Sequence, residues 1–247
     1  MIRAVLFDMG STLLEFENYP WEDLIQQGID AVYDVLCGHS AALPERQEFY
    51  QQFREVYRTT WREAEQSLME MEVRSLLENT VRELRLALSS DDVLHLVRAH
   101  YAPVSAQVTI YADTIETLSD LRQRGLKIGL VSNTVWPGWL HKEDLLRFGL
   151  LDFFDHLVFS ADLGVRKPHP KIFQAALQAL DVSPQEAVFV GDRIPEDVAG
   201  SKRLGMLGVW KERPDRERDP NVVPDAQIVH LRELLTHLDI WAERNGT

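Results

Sequence analysis

Apolar positions fall into three regimes along the chain. Ile2 to Phe7 is an apolar run ended by Asp8, the pattern of a strand covered on both faces of a parallel sheet. From about Trp21 to Ala102 apolar residues recur at helical spacing: Leu24, Val32 and Leu36, then Phe49, Phe53 and Val56, then Leu76, Leu77 and Leu84, then Val93, Leu96 and Val97. Almost no glycine interrupts this block, so about four helices are expected. After Pro103 the rhythm alternates. Helices are expected over 112–124 (closed by Gly125), 141–148, 170–180 and 195–204, and from Leu231 onward. Strands are expected over 127–131, 157–159, 187–190, 206–210 and 228–229. Such alternation implies an α/β fold, a doubly wound parallel sheet with right-handed crossovers, and makes the helical block an insertion after the first strand.

Composition narrows the function classes. The 247 residues, 45% hydrophobic and 26% charged, suffice for one sizeable core and a smaller module. Cys37 is the single cysteine, so no intramolecular disulfide forms; it is expected as a buried thiol in a reducing cytoplasm. No run of apolar residues is long enough for a membrane span, and Asp8 interrupts the early apolar run that a signal peptide would need. The net charge of -13 disfavours nucleic acid and anionic membranes as partners. An anionic substrate would therefore be held by a few local cations or a metal. The stretch "KERPDRERDPNVVPD", residues 211–225, reads as a solvated surface loop.

Four stations carry candidate chemistry, each where a strand runs into a loop, the place where open parallel sheets bind ligands. They are Asp8 in "FDMGSTLL", Ser132 and Asn133 after "KIGLV", Lys167 in "GVRKPHPKIF", and Asp192 with Asp197 in "VFVGDRIPEDVAGSKRLGM". In this order, and with "YADTIETLSDLRQRGLKIGLVSNT" and the ending "PDAQIVHLRELLTHL", they resemble the haloacid dehalogenase superfamily of hydrolases over nearly the whole chain. The resemblance implies a Rossmann-like core formed by residues 1–16 and 105–247, with 17–104 as an all-α cap. It also implies Asp8 as nucleophile, with Ser132 and Lys167 stabilising the transferring group. Thr12, Ser132, Asn133 and Lys167 would bind substrate. Mg2+ would be held by Asp8, the Gly10 carbonyl, Asp192 and Asp197, hard oxygen ligands for a hard cation. Asp197 could equally be a first-turn carboxylate favoured by the helix dipole. The expected partner is a small phosphorylated molecule.

One departure is informative. The superfamily's phosphatases resemble "DxDGT", and here the second Asp is Gly10 and the following Gly is Ser11. The missing carboxyl would protonate the leaving oxygen, assistance worth roughly 100 to 10,000-fold. A phosphohydrolase working on activated leaving groups, a haloacid dehalogenase and a ligand-binding relative without turnover all remain open. The Schiff-base phosphonate hydrolases do not, because the cap region lacks lysine, the first being Lys127. Glu15 and Glu17 are either solvated linker or a substitute acid. His141 and His169 are expected at exposed helix starts, and Arg54, Arg58 and Arg62 on a solvated helix face rather than as substrate anchors. Tyr19, Trp21, Trp136 and Trp139 either line the pocket mouth or pack.

Overall fold

A computed structural model describes residues 1–40, 42–216 and 218–245. In chain order its elements begin with β1 (Ala4–Phe7), β2 (Leu14–Glu15), α1 (Trp21–Cys37), α2 (Arg46–Ser67), α3 (Val73–Glu83) and α4 (Ser90–Gln107). There follow β3 (Thr109–Ile110), α5 (Thr114–Gln123), β4 (Lys127–Ser132), α6 (Gly138–Arg147), β5 (His156–Phe159), α7 (Ser160–Leu163) and α8 (Pro170–Leu180). The chain closes with β6 (Ala187–Gly191), α9 (Ala199–Lys202), β7 (Leu207–Lys211), β8 (Ala226–Ile228) and α10 (Glu233–Asn245). Six strands form one parallel sheet in the order β5-β4-β1-β6-β7-β8. Among the described residues, no helix is long and apolar enough to cross a membrane.

The period of two along β1 sends Val5 and Phe7 to one face of the sheet and Ala4 and Leu6 to the other. Ala4 and Leu6 join Ile172, Phe173 and Ala176 of α8 in one apolar cluster. Val5 and Phe7 belong to a larger one, continuous with Leu24, Ile29 and Leu36 of α1, Leu77 of α3 and Leu96 of α4. The inserted helices thus share a core with one face of the sheet.

Local signals account for several boundaries. The Ser89 hydroxyl accepts from the Asp92 amide at 3.1 Å and the Asp92 carboxylate accepts from the Ser89 amide at 2.9 Å, a capping box that starts α4. Pro103 does not end this helix. It lies inside α4, which continues to Gln107 because Tyr101 and Val104 are buried on either side of it. The expected helix over 195–204 is interrupted. Ile194–Val198 forms a wide π-type turn before α9, with the Asp197 amide bonded to the Arg193 carbonyl. The antiparallel pair β2–β3 escaped the sequence pattern, two residues per strand being too short to show a period. It joins the two ends of the helical insertion.

Candidate active site

β1, β4 and β6 are adjacent, so their carboxyl ends bring Asp8, Ser132 with Asn133, and Asp192 to one edge of the sheet. Lys167 arrives from the loop between α7 and α8. These residues and Asp197 line a cavity of about 590 Å³ that Phe16, Trp21, Tyr57, Trp61 and Trp136 close from other sides. Lys167 Nζ lies 2.6 Å from Asp8 Oδ1 and 2.7 Å from Asp197 Oδ1. Oxygens of Asp8, Asp192 and Asp197 all fall within 4.8 Å of one another, and all three residues are buried. Asp197 can come this close because Gly191 has no side chain: a Cβ there would stand 2.3 Å from Asp197 Oδ2. The same Oδ2 accepts from the Arg193 amide at 2.9 Å, which ties the carboxylate to the π-type turn.

Burial together with crowding of like charge shapes the electrostatics. Burial pushes the Asp8 carboxyl up to about 7; Lys167 opposes this, and Asp197 and Asp192 add to it. Burial followed by the neighbouring Asp197 also raises Asp192, against the pull of Arg216. Burial alone would lower Lys167, but Asp197 and Asp8 outweigh it and hold the ammonium above its ordinary range. A ring of three buried carboxylates with oxygens this close together suits a hard divalent cation with oxygen ligands, and the donor set matches one.

Other expected residues take less direct places. Thr12 is fully buried and does not line the cavity; its hydroxyl donates to Asp8 Oδ2 at 3.4 Å and steadies that carboxylate. Asn133 lines the cavity, but its side chain clamps the backbone of Lys167, donating to the carbonyl at 3.0 Å and accepting from the amide at 2.7 Å. At Gly10 the backbone is outside the left-handed region, and an added Cβ would meet only Phe16 Cδ2 at 3.6 Å. The positive φ of 58° falls on Ser11 instead.

Several expectations are corrected. The 211–225 stretch is not simply solvated. Arg216 reaches back to Asp192 Oδ2 at 2.5 Å and to Glu17 Oε1 at 2.5 Å, and Arg213 binds Glu15 Oε2 at 2.6 Å. Lys211 donates to the Ser11 carbonyl at 3.1 Å. Glu15 and Glu17 are therefore paired rather than free linker acids. Burial would raise Glu17, but the hydrogen bond to Arg216 together with the charges of Arg216, Arg213 and Arg193 outweighs it and lowers the carboxyl. Charge in a sequence does not say whether a loop folds back onto opposite charge, which is why these residues were missed. His141 is buried, not exposed, while His169 does start a helix, capping α8 by accepting from the Lys171 amide at 3.2 Å. Cys37 is exposed, because it lies on the outer side of the last turn of α1. Arg54, Arg58 and Arg62 face the cavity, with Arg54 paired to Glu22 and Arg58 to Glu55. Trp21 stacks on Trp136 with ring centres 6.4 Å apart, and both line the cavity; Trp139 packs under Arg98, and Tyr19 is exposed.

Comparison with known proteins supplies the family. A glyceraldehyde 3-phosphate phosphatase of Methanopyrus kandleri is 35% identical over 247 residues, covering 95% of this chain and 96% of its own length. A ribulose-1,5-bisphosphate 5-phosphatase of Halopiger xanaduensis is 31% identical over 89% of this chain and 88% of its own. Among solved structures, a HAD phosphatase from Thermococcus onnurineus superposes with a TM-score of 0.63 at 30% identity, covering 96% of this chain and 98% of that one. A 2-haloacid dehalogenase from Pseudomonas syringae reaches a TM-score of 0.71 at 25% identity, over 98% and 100%. The sequence profile of haloacid dehalogenase-like hydrolases matches residues 2–205, a span that holds Asp8, Ser132, Lys167 and Asp192, and the chain belongs to that family.

Proposed function

We propose that the chain is a Mg2+-dependent phosphohydrolase of small phosphorylated metabolites that works through a phosphorylated Asp8. The observation that carries this is the pairing of a buried Asp8 with Lys167 at 2.6 Å, beside two further buried carboxylates that line the same cavity. Full-length relatives named as phosphatases support it. Asp8, Asp192, Asp197 and the Gly10 carbonyl would hold the Mg2+, which when bound offsets negative charge on the transferring group. An Asp8 carboxylate oxygen attacks phosphorus, the bond to the leaving oxygen breaks, and water then cleaves the aspartyl phosphate, an acyl phosphate, to return Asp8 and inorganic phosphate. Lys167 neutralises charge through both steps, and Ser132 at the end of β4 hydrogen-bonds a phosphoryl oxygen. Residues 1–16 and 105–247 act as the catalytic core and 17–104 as the cap that excludes water.

With Gly10 in place of an acid, the leaving group departs as the anion. Rates should therefore follow leaving-group pKa, with aryl and acyl phosphates ahead of alkyl ones. The test is phosphate release from an aryl, an acyl and an alkyl phosphate, each with Mg2+ or with chelator. Release that needs Mg2+ and favours the aryl ester is expected. No release from any of the three would overturn the proposal, and halide release from a chloroacid that persists in chelator would replace it with the dehalogenase function.

A further inference from the structure

Arg166 is the neighbour of Lys167 in sequence, yet the two side chains serve different walls of the cavity. Lys167 meets Asp8 and Asp197 of the sheet edge, whereas Arg166 meets the helical insertion, its guanidinium lying over the Trp61 ring at 4.7 Å. Arg166 is 8% exposed and lines the cavity, and its Nη1 is a buried donor with no hydrogen-bond partner among the described residues. Glu70 Oε1 lies 3.6 Å from Nη1, an ion pair that is too long for a hydrogen bond. Glu70 is itself committed elsewhere, to the Ser160 hydroxyl at 2.7 Å and the Met71 amide at 3.0 Å. A buried charged donor left without an acceptor is rare in native folds. Arg166 also lines the cavity, and the planar fork of its guanidinium fits a carboxylate or a phosphate. At the rim, Arg62 and Glu65 are exposed and opposite in sign, so the buried guanidinium is what distinguishes this wall.

We propose that Arg166 binds a second anionic group of the substrate, a carboxylate or a second phosphate, while the first phosphoryl group meets Asp8 and Lys167. This rests on the phosphohydrolase proposal only for which end of the ligand reaches Asp8. Both anions must fit within one cavity of about 590 Å³, which suits a small molecule. The Trp61 stack fixes the plane of the guanidinium, which favours bidentate capture over a loose ion pair.

The test compares three probes that share a propyl spacer: propyl phosphate, 3-phosphooxypropanoate and propane-1,3-diyl bisphosphate. Their dissociation constants are measured by calorimetry with Mg2+ on the full chain carrying Asp8→Asn, which cannot form the aspartyl phosphate. At least one two-anion probe should bind about tenfold or more tightly than propyl phosphate. Whichever does so identifies the second group as carboxylate or phosphate. Adding Arg166→Gln should bring the three together, and Arg166→Lys, which keeps the charge but not the fork, should restore part of the difference. Equal binding of all three probes before Arg166 is changed would overturn the proposal, as would a preference that survives Arg166→Gln. If Arg166→Gln does not fold, Arg166→Lys decides: a preference reduced at least about threefold supports the fork, and an unchanged one overturns it. Failure of the phosphohydrolase proposal would appear separately, as absence of phosphate release from the unmodified chain.

Discussion

Two buried polar clusters flank the cavity and treat their ionisable groups in opposite ways. At the sheet edge, Asp8, Asp192 and Asp197 crowd together and share Lys167 and Arg216, and burial holds Asp8 up near 7. Beneath the helices, His141 is bonded to the Tyr101 hydroxyl at 2.9 Å and to the Thr134 hydroxyl at 2.6 Å. Tyr101 donates to Asp144 Oδ2 at 2.5 Å, and Ser105 donates to Asp144 Oδ1 at 2.6 Å. Because Tyr101 gives its proton to Asp144, His141 Nδ1 donates to Tyr101, and Nε2 accepts from Thr134. Both ring nitrogens are thereby satisfied in the neutral form, and burial lowers His141 to about 3. Burial likewise lowers His100, to about 4; Trp136 Nε1 donates to its Nδ1 at 3.0 Å, whereas its buried Nε2 has no hydrogen-bond partner among the described residues. Burial with partners for the neutral form silences a titratable group. Burial of crowded like charges leaves it poised to react.

The sharpest way to break this comparison is to substitute one carboxylate in each cluster. Asp8→Asn should reduce Mg2+-dependent phosphate release by about four orders of magnitude, as removal of a nucleophile does. Asp144→Asn should leave the rate within about threefold and cost about 1–3 kcal/mol of stability, the size of a disturbed buried hydrogen bond. Similar rate losses in both variants, measured by steady-state kinetics beside denaturant unfolding, would show that the second cluster takes part in the chemistry.

Gly10→Asp comes next in size. The position accepts a side chain, since its φ is outside the left-handed region and the nearest atom to an added Cβ is Phe16 Cδ2 at 3.6 Å. The added carboxyl should speed alkyl phosphate hydrolysis by up to about 100-fold and change aryl hydrolysis little. An equal change on both ester classes would contradict the account of the missing acid.

A smaller effect concerns pH and stability. His141 is lowered from 6.5 to about 3, so between those values the unfolded chain binds more protons than the folded one. Its contribution is fully present above about pH 6.5 and is lost as pH falls toward 3, with a slope of about 1.4 kcal/mol per pH unit. Asp8 acts with the opposite sign between 3.8 and about 7, so the slopes of two proteins must be compared. His141→Gln should flatten the slope between pH 4.5 and 6 by about that 1.4 kcal/mol per unit, read from urea unfolding at each pH. The smallest expected effect is at Arg216, whose Nε stands 2.5 Å from Asp192. Arg216→Gln removes one competing cation and should tighten Mg2+ binding by about threefold in calorimetry, the scale of a partly solvated ion pair. Weaker binding would mean that Arg216 helps to build the ring rather than competing with the metal.

Much of the fold was legible because periodicity reports which face of an element is buried. Ala4–Phe7, the four inserted helices and the strand–helix alternation after them were all expected from spacing alone. So were the stations at Asp8, Ser132 and Asp192, since a polar residue ending an apolar strand must sit at the sheet edge; Lys167 instead lies beyond a strand end, in the loop between α7 and α8. Arg216 and Arg166 were not legible, nor was the burial of His141 or the exposure of Cys37. Each depends on what another segment places against it, and no local period encodes that.

The sequence by itself determined the residue types at the strand ends and the absence of a carboxyl at position 10. Only the tertiary structure decided which of those groups share charge. It passed the left-handed backbone to Ser11 at a φ of 58°, which leaves Gly10 open to substitution. It brought Arg216, 24 residues along the chain, onto Asp192, and it buried the Nη1 of the cavity-lining Arg166 without a hydrogen-bond acceptor among the described residues. Residue type follows from the chain, but the desolvation and pairing that set reactivity arise only when distant loops exclude water from the same small volume.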